Sequence, residues 1–427
     1  MTLTLQTLPR LNSPTVHQLP NGLTIIAEQM PIEAVNLSLW VNVGSSIESD
    51  PINGMAHFLE HMVFKGTQRL ISGEFERQIE ERGAVTNAAT SQDYTQYYIT
   101  TAPKDFAALA PLQIDVVLNA SIPDDAFERE RLVVLEEIRR SDDNPRRRTF
   151  QRAMETAFDQ LPYRRPVLGP FEVISQLKPQ EMRDFHAKWY QLQSITAVAV
   201  GNLPVDELIQ IVADGFTEAT STKQPADSDR LPTINPESAF TQIVRQEFVD
   251  NSLQQARLVM VWRVPGLSQM DHTYALDVLA AILGQGRTSR LVRELREERG
   301  LVSSISASNM TQRLQGTFYI SAQLPAENLA TVEAAIAQHI HTFQTDLVAE
   351  SEIARVRTQV ANRFVFGNET PSDRAGLYGY YHSMLGDLEP AFNYPASIQS
   401  LEPIDIQAAA KQYLSPNAYG VVVLKPE

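Results

Sequence analysis

The 427-residue chain contains no cysteine. Disulfide stapling, thiol nucleophiles and thiolate-ligated metals are therefore excluded, and any zinc or iron site must be built from His, Asp and Glu. Apolar residues never run for the roughly 18 positions that a membrane-spanning helix needs. Met1–Asn21 also lacks the continuous apolar stretch of a secretory leader, so a cytoplasmic location with no membrane partner is expected. Positive charge is scarce: 36 Lys and Arg against 51 Asp and Glu leave a net charge of −15. That balance argues against nucleic acid as a partner, because such binding rests on basic side chains meeting phosphates. It chiefly keeps the surface solvated, with a bias toward basic peptides that salt would weaken.

What is present is globular. At 43% hydrophobic and 20% charged residues the chain has the composition of a folded protein, and its length fits two or three domains. Matched phrases then recur in the same order along the two halves. ERGAV at 81–85 returns as ERGLV at 298–302, YYITTAP at 97–103 as FYISAQLP at 318–325, and AKWY at 187–190 as AKQY at 410–413. Three pairs at a nearly constant offset indicate two homologous units. Between the copies, Glu218–Ala239 is rich in Pro, Ser, Thr and Asp and reads as a linker rather than a long loop. The expected division is 1–217, linker 218–239 and 240–427. Within a unit, β-rich runs (Leu23–Ala27, Val35–Val43, Tyr94–Thr100, Thr196–Val200) mix with helical periodicity at Met55–Phe64, Glu74–Arg82, Phe106–Asn119 and Asp125–Arg140. Asn21-Gly22 marks a hairpin turn. The helices come in groups rather than alternating with strands, which points to an α+β fold.

One helix carries the chemistry. GMAHFLEHMVFKGT at 54–67 sets His57, Glu60 and His61 at i, i+3 and i+4, on one face at about 100° per residue. Two imidazoles one turn apart can hold a zinc ion, and a carboxylate beside them can take a proton from water activated by it. The order His-x-x-Glu-His reverses the commoner zinc-peptidase motif. Only eight histidines occur in the chain, and two of them lie on this apolar turn. Three buried ionisable groups without a metal or partner would be costly.

A third ligand is expected on DAFERERLVVLEEIRR at 125–140. At ideal helical spacing Phe127, Val134 and Ile138 share a buried face, Glu130 and Glu137 border it on one side about 60–80° away, and Glu136 points roughly opposite. Glu137 is thus the better inward ligand, and Glu130, two turns earlier, its support. Glu128 and Glu136 suit a solvated face of Glu–Arg pairs.

HFLEH, followed by Glu137 within ERERLVVLEE, resembles the pitrilysin-type (inverzincin) zinc metallopeptidases, in particular small bacterial members akin to the mitochondrial processing peptidase β subunit. The likeness covers essentially the whole chain. It implies a zinc endopeptidase for short or unfolded peptides, with each chain forming half of a peptidase chamber. It also implies one Zn2+ held by His57, His61 and Glu137, with Glu60 as general base and Glu130 supporting catalysis. The segment GAVTNAATSQDYTQYY at 83–98 resembles the family's edge strand, so Asn87 and Ala88 would bind substrate by strand addition.

The second copy carries Ala275, Val278 and Leu279 where the first has His57, Glu60 and His61, so one site per chain is expected. Relatives also carry an Arg followed seven positions later by a Tyr that contact substrate. Here Arg296 is followed by Ser303, whose short stem cannot replace a phenol. The resemblance therefore favours a zinc-bearing subunit that pairs with a homologous subunit supplying Arg and Tyr; a homodimer is the other arrangement. A non-catalytic scaffold of the same fold would also explain the missing Tyr, but the intact zinc residues argue against it. A structural zinc in a peptide-binding module would ordinarily need four protein ligands, and three are visible.

Overall fold

A computed structural model describes residues 12–220 and 234–427. Most of the expected linker, 221–233, lies outside the described residues, as does the start of the N-terminal stretch. Glu218–Thr220 belong to the last turn of the helix Val205–Thr220, so the linker begins later than its composition suggests.

The first unit is built on a mixed six-stranded sheet. Its strands are β1 (Thr15–Gln18), β2 (Thr24–Gln29), β3 (Val35–Val41), β4 (Val85–Thr90), β5 (Thr95–Thr101) and β6 (Ile195–Gly201), in the spatial order β1-β2-β6-β3-β5-β4. β2 and β6 run parallel and every other neighbouring pair antiparallel. The Asn21-Gly22 turn joins β1 to β2 as expected, with Gly22 at φ 91°, a conformation that suits glycine. β3 and β6 are buried along their whole length, as strands covered on both faces must be. On one face Ile26, Trp40, Val198 and Val200 pack against Ala375 and Tyr378 of the helix Pro371–Leu385. Gly379 permits that approach, because a Cβ there would stand 1.9 Å from Trp40 Nε1. Helices Pro103–Leu118 and Val205–Thr220 contact the strands as well as each other. β4 is the edge, with every second residue exposed.

The second unit repeats this plan. Its strands are β7 (Val244–Val249), β8 (Ala256–Pro265), β9 (Ser304–Met310), β10 (Gln315–Leu324) and β11 (Gly420–Lys425), ordered β7-β11-β8-β10-β9. Set beside β2-β6-β3-β5-β4, the order and the single parallel pair match strand for strand. The repeated phrases fall at equivalent places: YYITTAP and FYISAQLP run through β5 and β10, while AKWY and AKQY close helices that lead into β6 and β11. Leu258, Met260, Trp262, Val421 and Val423 face a core completed by helices Tyr274–Gly284, Leu329–Thr345 and Pro403–Tyr413. Val259, Val261 and Val422 face Ala153, Met154 and Ala157 of the helix Pro145–Ala157.

The compact units are not continuous in sequence. One comprises Met1–Val134, Phe171–Arg230 and Val365–Asn393, the other Leu135–Pro170, Leu231–Phe364 and Tyr394–Glu427. A helix from the first half thus covers the second sheet, and a helix from the second half covers the first. The expected division into 1–217 and 240–427 did not include this exchange. No helix among the described residues is long and apolar enough to cross a membrane.

Candidate metal centre

The helix Met55–Met62 presents the chemistry. Gly54 precedes it at φ 95°, and the buried Glu48 carboxylate caps it from a preceding turn. One oxygen of Glu48 accepts from Ala56 N–H at 2.7 Å; the other accepts from Gly54 N–H at 2.8 Å and Asn53 Nδ2 at 2.9 Å. An anion at the positive end of a helix satisfies donors that would otherwise be buried without partners.

His57 is 7% exposed, and its ring centroid lies 4.9 Å from that of His61. Ligand atoms of His57, His61 and Glu137 all fall within 4.8 Å of one another. Glu137 reaches them from the helix Asp124–Asp142, on which Phe127, Val134 and Ile138 are buried as the periodicity requires. Glu136 instead turns outward to Arg139 and Arg140. Two imidazole nitrogens and one carboxylate oxygen form a donor set that could hold zinc. Burial, with the charge of His61 added, pushes His57 down to about 3, so its imidazole is neutral near pH 7 and has a lone pair to donate.

Glu130, expected from the sequence to support the site, lies beside His61 and Lys65. Its Oε1 lies 3.0 Å from His61 Nδ1 and its Oε2 2.7 Å from Lys65 Nζ. Burial alone would raise this carboxyl, but the bonds from Lys65 and His61 hold it below the usual carboxylate range. An ionised Glu130 accepting from Nδ1–H would fix the ring with Nε2 as the nitrogen that could ligate a metal. Glu60, on the same helical turn, accepts from Thr90 Oγ1 at 2.5 Å. The Thr95 hydroxyl stands 3.4 Å behind Thr90 and donates to Val43 O at 2.8 Å. Buried Tyr97 and Tyr190 share a hydrogen bond of 2.9 Å, and burial, with the Glu60 charge contributing, keeps both phenols protonated well above their usual range.

Asn87 and Ala88 lie on the edge strand β4, opposite Tyr98 and Tyr97. Ala88 N–H is turned away from β5 and donates to Asn87 Oδ1 at 2.9 Å. In an antiparallel ladder alternate residues face outward, so Thr86, Ala88 and Thr90 direct their backbone groups to the open side. Arg296 stands in the second unit, in a π-helical turn Val292–Glu298, 3.7 Å from Glu297. Ser303 donates to Gln255 Oε1 and to Gln323 O. Ala275, Val278 and Leu279 are buried in the helix Tyr274–Gly284, with no metal-binding side chain at those positions.

Residues 23–171 match the model of the insulinase family, peptidase family M16, and residues 176–360 match that of the peptidase M16 inactive domain. The chain belongs to the M16 peptidase family. It is 29% identical over 411 residues to an uncharacterized zinc protease of Mycobacterium tuberculosis, covering 96% of this chain and 92% of that protein. The zinc protease PqqE of Helicobacter pylori is 26% identical over 426 residues, covering 98% of this chain and 94% of that one. A crystal structure of a protease from Helicobacter pylori superposes with a TM-score of 0.90 at 25% identity, covering 97% of this chain and 100% of the other. The inactive-domain match includes Ala275, Val278 and Leu279.

Sequence reasoning missed Glu48, Lys65 and Thr90. Lys65, one turn beyond His61 in HMVFK, was the one with a readable local signal; Glu48 and Thr90 reach the site only through the folded chain.

Proposed function

We propose that this M16 protein is a zinc-dependent endopeptidase acting on short or unfolded peptides. The observation that carries the reading is the convergence of His57, His61 and Glu137 within 4.8 Å, with Glu60 on the same helical turn. Zinc held by these three residues would acidify water and polarise a peptide carbonyl. Glu60 takes the proton of the attacking water and delivers it to the departing amine. The Thr90 hydroxyl donates to one oxygen of Glu60 and so holds the carboxylate in place. The open side of β4 receives the substrate as an added strand, so main-chain bonds at Ala88 hold it with little demand on its sequence. Ala88 and Thr90 are two residues apart on one strand, which ties the register of the peptide to the position of the base.

The reading extends to a two-subunit enzyme in which this chain supplies the zinc and a homologous subunit supplies an Arg/Tyr pair. Its support is the Ser303 hydroxyl, which is short and already engaged by Gln255 and Gln323.

The test is cleavage of a quenched, unstructured peptide by the zinc-loaded chain, alone and with its homologous subunit. Glu60→Gln serves as the comparison. Turnover that disappears in Glu60→Gln while zinc stays bound supports the reading. Turnover that survives the substitution removes Glu60 from the role of base.

A further inference from the structure

Arg146, Arg148 and Arg257 of the second unit stand together with few carboxylates around them. The helix Pro145–Ala157 opens with Arg146, Arg147 and Arg148, and Asn144 caps it by accepting from the backbone N–H groups of Arg146 and Arg147. Arg257 comes from β8. Val259 and Val261 of that strand face the helix, so by the two-residue alternation Arg257 lies on the same side. Arg263, at the other end of this row, donates to Ala157 O where the helix ends, which sets Arg257 toward the helix start. Burial and the neighbouring charges of Arg146 and Arg148 hold the half-buried Arg257 guanidinium below its ordinary value, though it stays protonated.

The surroundings supply one countercharge, Asp250, which pairs with Arg148. Among the described residues no carboxylate pairs with Arg146 or Arg257. Asp142 meets Arg148 through its backbone carbonyl, and Asp143 is taken by Arg139. Gln323, opposite Arg257 on β10, and Ser304, opposite Gln323 on β9, share the sheet face with Arg257 and are neutral. Elsewhere this acidic chain gives its arginines carboxylates, as with Arg152 and Glu155 on the same helix. Like charges gathered beside a half-buried cation are unfavourable until an anion joins them.

The cluster is tied to the metal centre through one helix. Arg148 Nη1 donates to Asp142 O, and Asp142 lies five residues beyond Glu137 on the helix Asp124–Asp142. At a rise of about 1.5 Å per residue, the guanidinium stands on the order of 10 Å from Glu137 along that helix. An extended peptide covers this distance in about three residues.

We infer that Arg146, Arg148 and Arg257 form a subsite for an acidic residue of the substrate, Asp or Glu, about three residues from the scissile bond. A carboxylate is the anion a peptide brings, and guanidinium groups bind it with paired N–H donors. The inference rests on the peptidase reading above and adds a side-chain preference to main-chain recognition. It reverses the bias toward basic peptides that the net charge of −15 alone suggests.

Fluorescence anisotropy tests the subsite apart from turnover. It uses the zinc-loaded, full-length Glu60→Gln chain and labelled, unstructured Ala/Ser peptides carrying a Glu-Glu, Gln-Gln or Lys-Lys pair. The Glu peptide should bind at least about tenfold more tightly than the Gln peptide and the Lys peptide least tightly, with high salt narrowing the differences. Arg146→Glu, at an exposed position, should abolish the preference or turn it toward Lys, and Arg257→Gln should weaken it. Where Arg257→Gln does not fold, Arg146→Glu decides. The same peptides given to the zinc-loaded wild type should show kcat/KM in the same order. Equal binding of the three peptides, or a Glu preference undiminished in Arg146→Glu, overturns the subsite. Cleavage blind to peptide charge also overturns it and leaves the peptidase reading standing. A Glu preference in binding that Arg146→Glu removes, with no peptide cleaved by the wild type, keeps the acidic subsite and removes the peptidase reading.

Discussion

Glu48 offers a sharp test of how the helix that carries His57 and His61 is held. Its carboxylate is 4% exposed and accepts from two backbone N–H groups and from the Asn53 amide, all within 2.9 Å. Glu48→Ala leaves the Gly54 and Ala56 N–H groups without that acceptor. At about 1–3 kcal/mol for each buried unsatisfied donor, and with some relief from entering water, the loss is about 3 kcal/mol. For cooperative units of this size that lowers the thermal midpoint by about 6–12 °C. Glu48→Gln keeps one oxygen as acceptor and should lose less than half as much. The assay is thermal unfolding followed by circular dichroism in the presence of chelator, so that bound metal does not mask the change. A midpoint lowered by under about 2 °C in Glu48→Ala, or equal damage from both variants, would refute the capping argument.

Thr90→Val, which keeps the shape and removes the hydroxyl, should lower kcat about tenfold with KM and zinc content unchanged, and Thr90→Ser should restore most of it. Gly379→Ala sets a methyl against the Trp40 ring and should cost about 1–3 kcal/mol, read as a lower urea midpoint at constant slope. Asp277 accepts from Asn309 Nδ2 and Tyr394 OH, yet burial pushes it up to about 6. A carboxyl raised in the folded state contributes stability that is complete below about pH 4 and lost as pH rises through about 6. Asp277→Asn should therefore match the wild type near pH 4 and exceed it by about 1–2 kcal/mol at pH 7, as denaturant titrations at the two pH values will show.

Local physics made part of this molecule legible in its sequence. Phe127, Val134 and Ile138 are spaced at the helical period, and that spacing alone separated Glu137 from its neighbour Glu136. His57, Glu60 and His61 were readable for the same reason. The strand order of the second sheet follows the first because the repeated phrases mark the same strands. Other features depend on contacts distant in sequence. Thr90 meets Glu60 across 30 positions, and Glu130 meets His61 across 69. The angle of Glu130 on its own helix was predictable, but the Lys65 partner that keeps it ionised was not paired with it. The exchange of helices Pro145–Ala157 and Pro371–Leu385 was hidden because their apolar faces suit either sheet equally well in a periodicity argument. The Pro- and Ser-rich composition of 218–239 located the change of copy but not the end of the preceding helix.

The most direct test of the central claim is zinc content after exhaustive dialysis against trace metal, measured on folded wild type and single variants. Wild type, Glu60→Gln and Glu136→Ala should each retain one zinc per chain, while His57→Ala and Glu137→Ala should lose it. Zinc kept by Glu137→Ala, or lost equally by Glu136→Ala, would contradict the assignment of the metal to His57, His61 and Glu137.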